Sequence, residues 1–531
     1  MKRSYRIRPK QIACLLFFCH ITALVGAAAT RPSAEPLVKP EINVILWFDT
    51  EDYLLLADDD AAKRLAEMLS ERNIRATFKL VGEKARVLEK RGRSDVINAL
   101  KKHDIGYHAN LHSVHPTPSE YLAECGLLDG ISEFVRREGG GAADVRRVFA
   151  VDTLSCYGQP GSSWGPQAIA ALPQIGVAPR GIPCYLDEGA HVGLNAKPFW
   201  YAGALNVYHM GPNYTRMELH DPAAVEPGKK KFTAIAQRLG SYDGGGLISI
   251  FYHPCEWVHQ EFWDGVNFRR GANPPREEWK PPPQRPAAET EAAFRRFAEY
   301  IDHIRSTPGV RFVTASDLPG LYPDSVRGPG CTEEDLEQIA TRLLRPDATG
   351  VDFVILGQRS YSVADQFNLL TLAVSQLIIE GGKVRFPLAA ESLLGPDRPP
   401  PSHRSNLRLG WAAFRDATLD VRDFLQKERR VPARVFIGSD AIPPADFLAG
   451  LAFTLHYYNE KHELPLGHNI PTGTKTEMMA ARYIAQDSPE LFGGWVIHRE
   501  NFRAPNILEV ARLQAWTLKP AMPARFAQVQ K

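Results

Sequence analysis

Apolar and polar positions change period repeatedly along the first 320 residues. "INVILWF" (42–48) is an unbroken apolar, β-branched run, the pattern of a strand covered on both faces. "DAAKRLAEMLSERN" (60–73) then places its apolar residues at helical spacing, and "RATFKLVG" (75–82) returns to a strand. "SDVINALKKH" (94–103) reads as a helix capped by Ser94, and "DIGYH" (104–108) as a short third strand. Further strands are expected at "RRVFAVDT" (146–153), "GLISIFYH" (246–253) and "VRFVTA" (310–315), with a long amphipathic helix over 289–306. Strands alternating with helices over about 280 residues imply an α/β domain with a parallel sheet, open or closed into a barrel. The proline-dense stretch 273–286 is expected to be an extended surface excursion.

The texture changes at "LPGLYPDSVRGPGCTEED" (318–335), whose turn residues mark a boundary. This divides the chain into residues 41–322 and a second, mostly helical domain, 331–531. The second part carries an internal echo. "VILGQRSYSVADQFNLL" (354–370) and "VFIGSDAIPPADFLAGL" (435–451) share a hydrophobic–Gly start and an Ala-Asp at one offset, each reading as strand, turn and helix. A repeat of this kind suits a binding module for a wall or polysaccharide.

Composition narrows the class. At 531 residues and 44% hydrophobic, the chain is long and apolar enough for two packed cores. Its 63 basic and 61 acidic residues nearly cancel, so no nucleic-acid partner is expected. The first ten residues are basic and free of acids, and "IACLLFFCHITALVGAAA" follows. That order is an export signal, expected over residues 1–30, and the membrane enters only if the signal stays uncleaved as an anchor. Five cysteines lie beyond it, widely spaced, with no CxxC knuckle and no disulfide framework.

The chemistry gathers just past strand ends. The first strand runs into "FDTEDY", which delivers Asp49, Glu51 and Asp52. The third runs into "HANLHSVHP", with His108, His112 and His115, and the strand over 246–252 runs into His253 and then Glu256. In a parallel α/β sheet these carboxyl ends share one edge and can converge. Two imidazoles and a carboxylate make a three-ligand set for a catalytic divalent metal, and a further carboxylate and histidine can act as base and acid. An i,i+4 pair in one helical turn would set the His108 and His112 rings on one face. Trp257, Phe262 and Trp263 are candidates for a sugar-stacking wall.

These segments resemble a known family, the polysaccharide deacetylases of the NodB-homology group, or carbohydrate esterase family four. "FDTED", "ATFKLVG", "HDIGYHANLH" and "ISIFYHP" are similar to four of its motifs, in order, over roughly residues 42–320. The resemblance implies a distorted (β/α) barrel and removal of N-acetyl groups from the sugars of a polysaccharide by a divalent metal, zinc being expected. It implies Asp49 as base, His253 as acid, and a backbone N–H at Tyr157 for the oxyanion. The metal acid is Glu51, or Asp52 in reserve. A gap-free register on Ile105-Gly106 makes His108 and His112 the ligands; a rival register anchored on His115-Pro116 reads "HSVHP" instead. One departure stands out: Leu154 occupies the place of the family's arginine, which steadies the base, and Arg180 or another basic residue is needed there. A carbohydrate-binding pseudoenzyme and a hydrolase of small cyclic amides such as allantoin are the alternative readings, and an export signal argues against the latter.

Overall fold

The computed structural model describes residues 41–524 except Asp243, Pro329, Ala348 and the stretches 403–407 and 472–476. The expected leader, 1–30, lies outside the described residues. Strand β1 (Ile42–Thr50) is buried along its whole length, as its unbroken apolar run requires. One edge runs beside β8 (Gly246–Tyr252). The other is shared by β9 (Val310–Val313) along its first half and β2 (Thr77–Leu80) along its second. The sheet continues through β3 (Asp104–Tyr107), β4 (Cys156–Tyr157), β5 (Cys184–Leu186), β7 (Ala204–Val207) and β6 (Phe199–Tyr201), and ends on Lys519–Pro520. All these pairs are parallel except β6 with β7 and β6 with Lys519–Pro520.

The sheet is curled. Ile45 and Trp47 of β1 belong to the same buried cluster as Leu205 and Val207 of β7, five strands away. In a flat sheet those strands would lie about 24 Å apart. The two ends of the strand order do not pair, so the result is an open, distorted barrel with helices outside.

Strand parity decides which residues face its interior. Val44, Leu46 and Phe48 pack into the helix-covered core, while Ile45 and Trp47 point into the barrel. The same alternation sends Phe78 and Leu80, Ile105 and Tyr107, and Ile250 and Tyr252 outward to the helices. Asp49, Lys79, His108 and His253 carry the opposite parity and so share the inner side at the strands' carboxyl ends.

One expected strand is a helix. Residues 146–149 of "RRVFAVDT" end the helix Leu127–Phe149, which stops at Ala150 in a left-handed conformation. Ile131, Phe134, Glu138, Ala142, Val145 and Phe149 are buried at steps of three and four, so helical periodicity governs the segment. The short strands β4 to β7, which no strong apolar run announces, complete the sheet instead.

Two buried clusters meet near the expected boundary at 322–331, and the chain passes between them repeatedly, with Trp516 joining the second and Leu518 the first. Residues from Val326 to Ile470 form a second core around the helices Glu333–Leu344, Val363–Ile379, Trp411–Glu428 and Pro444–Lys461. The chain then returns: Ala480, Phe492, Ile507, Leu508 and Leu518 pack in the first core. Residues 331–531 are therefore not one separable block. The sequence echo is structural: in each copy a helix leads to a two-strand hairpin, Val354–Tyr361 or Val435–Ile442, and then to a second helix. Gly357 and Gly438 adopt φ of 59° and 60° in the hairpin turns, where a side chain would be strained. No helix among the described residues is long and apolar enough to cross a membrane, and the five described cysteines are unbridged.

Candidate metal centre and active site

Glu51, His108 and His112 converge just beyond β1 and β3. His112 Nε2 lies 2.9 Å and His108 Nε2 3.4 Å from Glu51 Oε2, and all three side chains are buried. Each imidazole is oriented through its other nitrogen. His108 Nδ1 meets the Gly158 carbonyl at 3.0 Å, and His112 Nδ1 meets the Ser113 hydroxyl. That leaves both Nε2 atoms aimed at one point, the usual arrangement behind metal-bound histidine. His112 Nε2 has no hydrogen-bond partner in a wholly buried setting, and the three donor atoms lie within 4.8 Å of one another. Two imidazoles and a carboxylate so disposed fit a divalent ion.

The convergence of the two histidines has a different cause from the helical turn expected. Residues 108–116 form no helix. Ala109 and His112 instead adopt φ of 66° and 61°, and these left-handed residues wind the loop back on itself. His115 is held elsewhere, its Nδ1 2.6 Å from Glu120. Asp52 also leaves the group: one oxygen accepts from the Leu54 N–H at 2.9 Å, and the other faces His259. Glu51, not Asp52, is the acid of the cluster.

Asp49 sits beside this cluster, with Oδ1 3.4 Å from His108 Nδ1 and Oδ2 3.7 Å from His253 Nε2. Leu154, at the position where the resemblance calls for an arginine, is buried and apolar. The missing cation comes from another strand. Lys79, paired with Asp49 in the β1–β2 register, places Nζ 2.8 Å from Asp49 Oδ1, 3.0 Å from Asp187 Oδ2 and 2.9 Å from the Leu186 carbonyl. The ammonium also lies 4.1 Å from the centre of the Trp47 ring. Two glycines make room for it. A Cβ at Gly106 would stand 3.1 Å from Lys79 Cγ and 2.6 Å from Cys156 Sγ, and one at Gly158 would collide with Lys79 Nζ. Arg180, the candidate considered for this task, is not among the contacts of Asp49.

His253 faces the cluster from the end of β8, with Nε2 3.7 Å from Asp49 Oδ2 and Nδ1 2.8 Å from Glu256 Oε1. Arg216 grips Glu256 with both terminal nitrogens. Glu256 therefore orients His253 and does not line a sugar wall. Trp257 and Trp263 are fully buried, which leaves Phe262, edge-on to His253 at 4.9 Å, as the partly exposed aromatic of that run. The Tyr157 phenol packs between Phe134 and Tyr185, away from the donors, so any part it plays belongs to its backbone.

Trp495, from the returning C-terminal segment, stands edge-on to His112 with ring centres 5.5 Å apart, and its Nε1 donates to Asp264 at 3.1 Å. Nothing local in the sequence ties it to residues nearly four hundred positions earlier. Lys79, Asp187 and Arg216 were missed as well, although a lysine inside an otherwise apolar strand is a visible signal.

The electrostatics follow from burial and charge. Burial resists charge on Glu51, yet His112, His253 and the hydrogen bond from His108 hold its carboxyl well below the usual range. Burial pushes His108 down, towards the neutral form a ligand needs. For His253 burial is outweighed by Glu51 and Glu256, which raise it to about 9. Burial lifts Asp187 to about 7 against the pull of Lys79.

No protein-family model matches the chain, and no curated protein does. Solved structures do match. An allantoinase is 11% identical over 58% of this chain and 99% of its own, with a TM-score of 0.35. A family 4 acetyl xylan esterase from Clostridium thermocellum, in complex with a cobalt ion, is 15% identical over 52% of this chain and 90% of its own, at 0.26. A CE4-family pseudoenzyme from Bacillus anthracis is 12% identical over 52% of this chain and 65% of its own, at 0.25. The curled, open sheet, bordered at one end by Lys519–Pro520, is the distorted (β/α) barrel expected from the sequence.

Proposed function

We propose that the chain is an exported, metal-dependent hydrolase that removes N-acetyl groups from amino sugars of a cell-wall or extracellular polysaccharide. The observation that carries this reading is the flanking of one donor triad, Glu51, His108 and His112, by two separately positioned proton carriers. Asp49, fixed by Lys79, and His253, fixed by Glu256, stand next to each other beside it, with Asp49 Oδ2 3.7 Å from His253 Nε2.

Glu51, His108 and His112 would hold a divalent ion, zinc in this proposal, which would supply polarisation of the acetyl carbonyl and of a water. Asp49 takes the proton from the attacking water through Oδ2, while the ion pair of Oδ1 with Lys79 holds the carboxylate in place. A backbone N–H at Tyr157 donates to the developing oxyanion. As the carbon–nitrogen bond breaks, His253 passes its Nε2 proton to the departing amine, and Glu256 holds the ring through Nδ1. Acetate and a free amino sugar result, with one water consumed.

A base and an acid beside a metal-type donor triad suit amide hydrolysis more than passive binding. The motive for a pseudoenzyme was the empty arginine position, and Lys79 supplies a cation to Asp49. The basic then apolar leader supports export, and the repeated helix–hairpin–helix units are proposed to hold the polymer. Full-length protein loaded with zinc should release acetate from chitooligosaccharides and leave allantoin unopened. Ureide hydrolysis without acetate release would transfer the proposal to the small-amide reading.

A further inference from the structure

A second group of ligating side chains lies apart from the first. Asp52 follows Glu51, Asp58 opens the helix Leu56–Glu71, and His259 follows the turn Pro254–Trp257 behind β8. They are 2%, 1% and 3% exposed. His259 Nδ1 is 3.2 Å from Asp52 Oδ2, and His259 Nε2 is 3.4 Å from Asp58 Oδ2. At those distances no hydrogen bond is aligned: Asp52 Oδ2, both oxygens of Asp58 and both nitrogens of His259 are buried without a hydrogen-bond partner. The nearby cations are engaged with Asp59, which takes Lys84 and Arg91 at 2.7 Å each. Two aspartates and a histidine thus face one another in a dry place, in an arrangement that buried charge does not tolerate uncompensated.

We infer that Asp52, Asp58 and His259 form a second divalent-cation site, built for a first-row transition ion such as zinc or manganese. One donor atom from each residue lies within 4.8 Å of the other two, the spread expected of ligands about 2.0–2.2 Å from a shared ion. Mixed carboxylate and imidazole donors suit those ions better than magnesium or calcium. The site uses no residue of the Glu51, His108 and His112 triad and does not depend on the deacetylase reading. Its position gives it a bracing role, because it ties the segment after β1, which carries Asp49 and Glu51, to the loop after β8, which carries His253.

The test counts ions. Full-length protein, stripped by chelation and re-equilibrated with excess Zn²⁺ or Mn²⁺, should hold two equivalents by elemental analysis. Asp58→Asn and His259→Ala should each hold one, and so should His112→Ala. Anomalous scattering from zinc-loaded wild-type crystals should show a second peak among Asp52, Asp58 and His259, a readout that survives misfolding of any variant. A single anomalous peak at Glu51, with none among Asp52, Asp58 and His259 in excess metal, would overturn the inference. A second equivalent that persists in folded Asp58→Asn and His259→Ala would overturn it too.

Discussion

Lys79 Nζ lies 2.8 Å from Asp49 Oδ1, and both side chains are buried. The contact follows from register: parallel pairing sets the two residues side by side on β1 and β2, and their shared parity turns both into the barrel. A cation that the resemblance places just before β4, at Leu154, is delivered here from β2.

Lys79→Met should therefore lower kcat by at least about 10²-fold, the cost of a badly positioned general base, while bound metal stays close to the wild-type amount. It should also destabilise the fold by about 3–5 kcal/mol, because Asp49 and Asp187 lose their shared partner in a buried place. Denaturant melts and elemental analysis beside turnover check both parts. Wild-type kcat in a folded, metal-loaded variant would remove Lys79 from the account.

Removal of single histidines separates the two registers of "HANLHSVHP". His108→Ala and His112→Ala should each lose the ion held with Glu51, whereas His115→Ala should keep it and lose activity only in part. Metal-loaded His108→Ala together with metal-free His115→Ala would restore the rival register.

Much of this centre was legible in the sequence. The apolar run 42–48 identifies β1, and its end delivers Asp49 and Glu51; "DIGYH" does the same for His108. Three things were not. The strands β4 to β7 span two to four residues and leave no periodic trace, so "RRVFAVDT", the apolar end of a helix, drew the strand assignment. The loop conformation that joins His108 to His112 depends on left-handed Ala109 and His112, which residue type does not announce. Trp495 reaches the site only through tertiary packing of a segment that follows an entire second core.

That packing has a consequence for Trp495. Trp495→Ala should raise KM for a chitooligosaccharide about 10-fold with kcat changed much less, the signature of lost binding rather than lost chemistry. Truncation after residue 476 should be far worse. It removes Phe492, Ile507, Leu508 and Leu518 from the first core and should leave an aggregating protein with an uncovered apolar face. A soluble, active truncation by gel filtration and acetate assay would contradict the shared core.

Acid should weaken the fold through His191. Burial pushes this histidine down to about 3; its ring stacks on Trp164 and packs against Phe492. The unfolded chain takes up the proton near pH 6.5 and the folded one does not. The contribution of His191 is thus fully present above pH 6.5 and declines as pH falls towards 3, by up to about 1.4 kcal/mol per unit. Between pH 7 and 5 the wild type should lose about 2 kcal/mol more than His191→Gln, as read from denaturant midpoints. Parallel pH dependence in the two proteins would show that His191 is charged when folded.

The central claim is that Glu51, His108 and His112 hold an ion that hydrolysis requires, and a chelation cycle on soluble chitooligosaccharide tests it most directly. Acetate release by the full-length protein should fall to background after stripping and return when zinc is restored. Undiminished release from the stripped protein, or none from protein shown to carry metal at Glu51, would contradict the account.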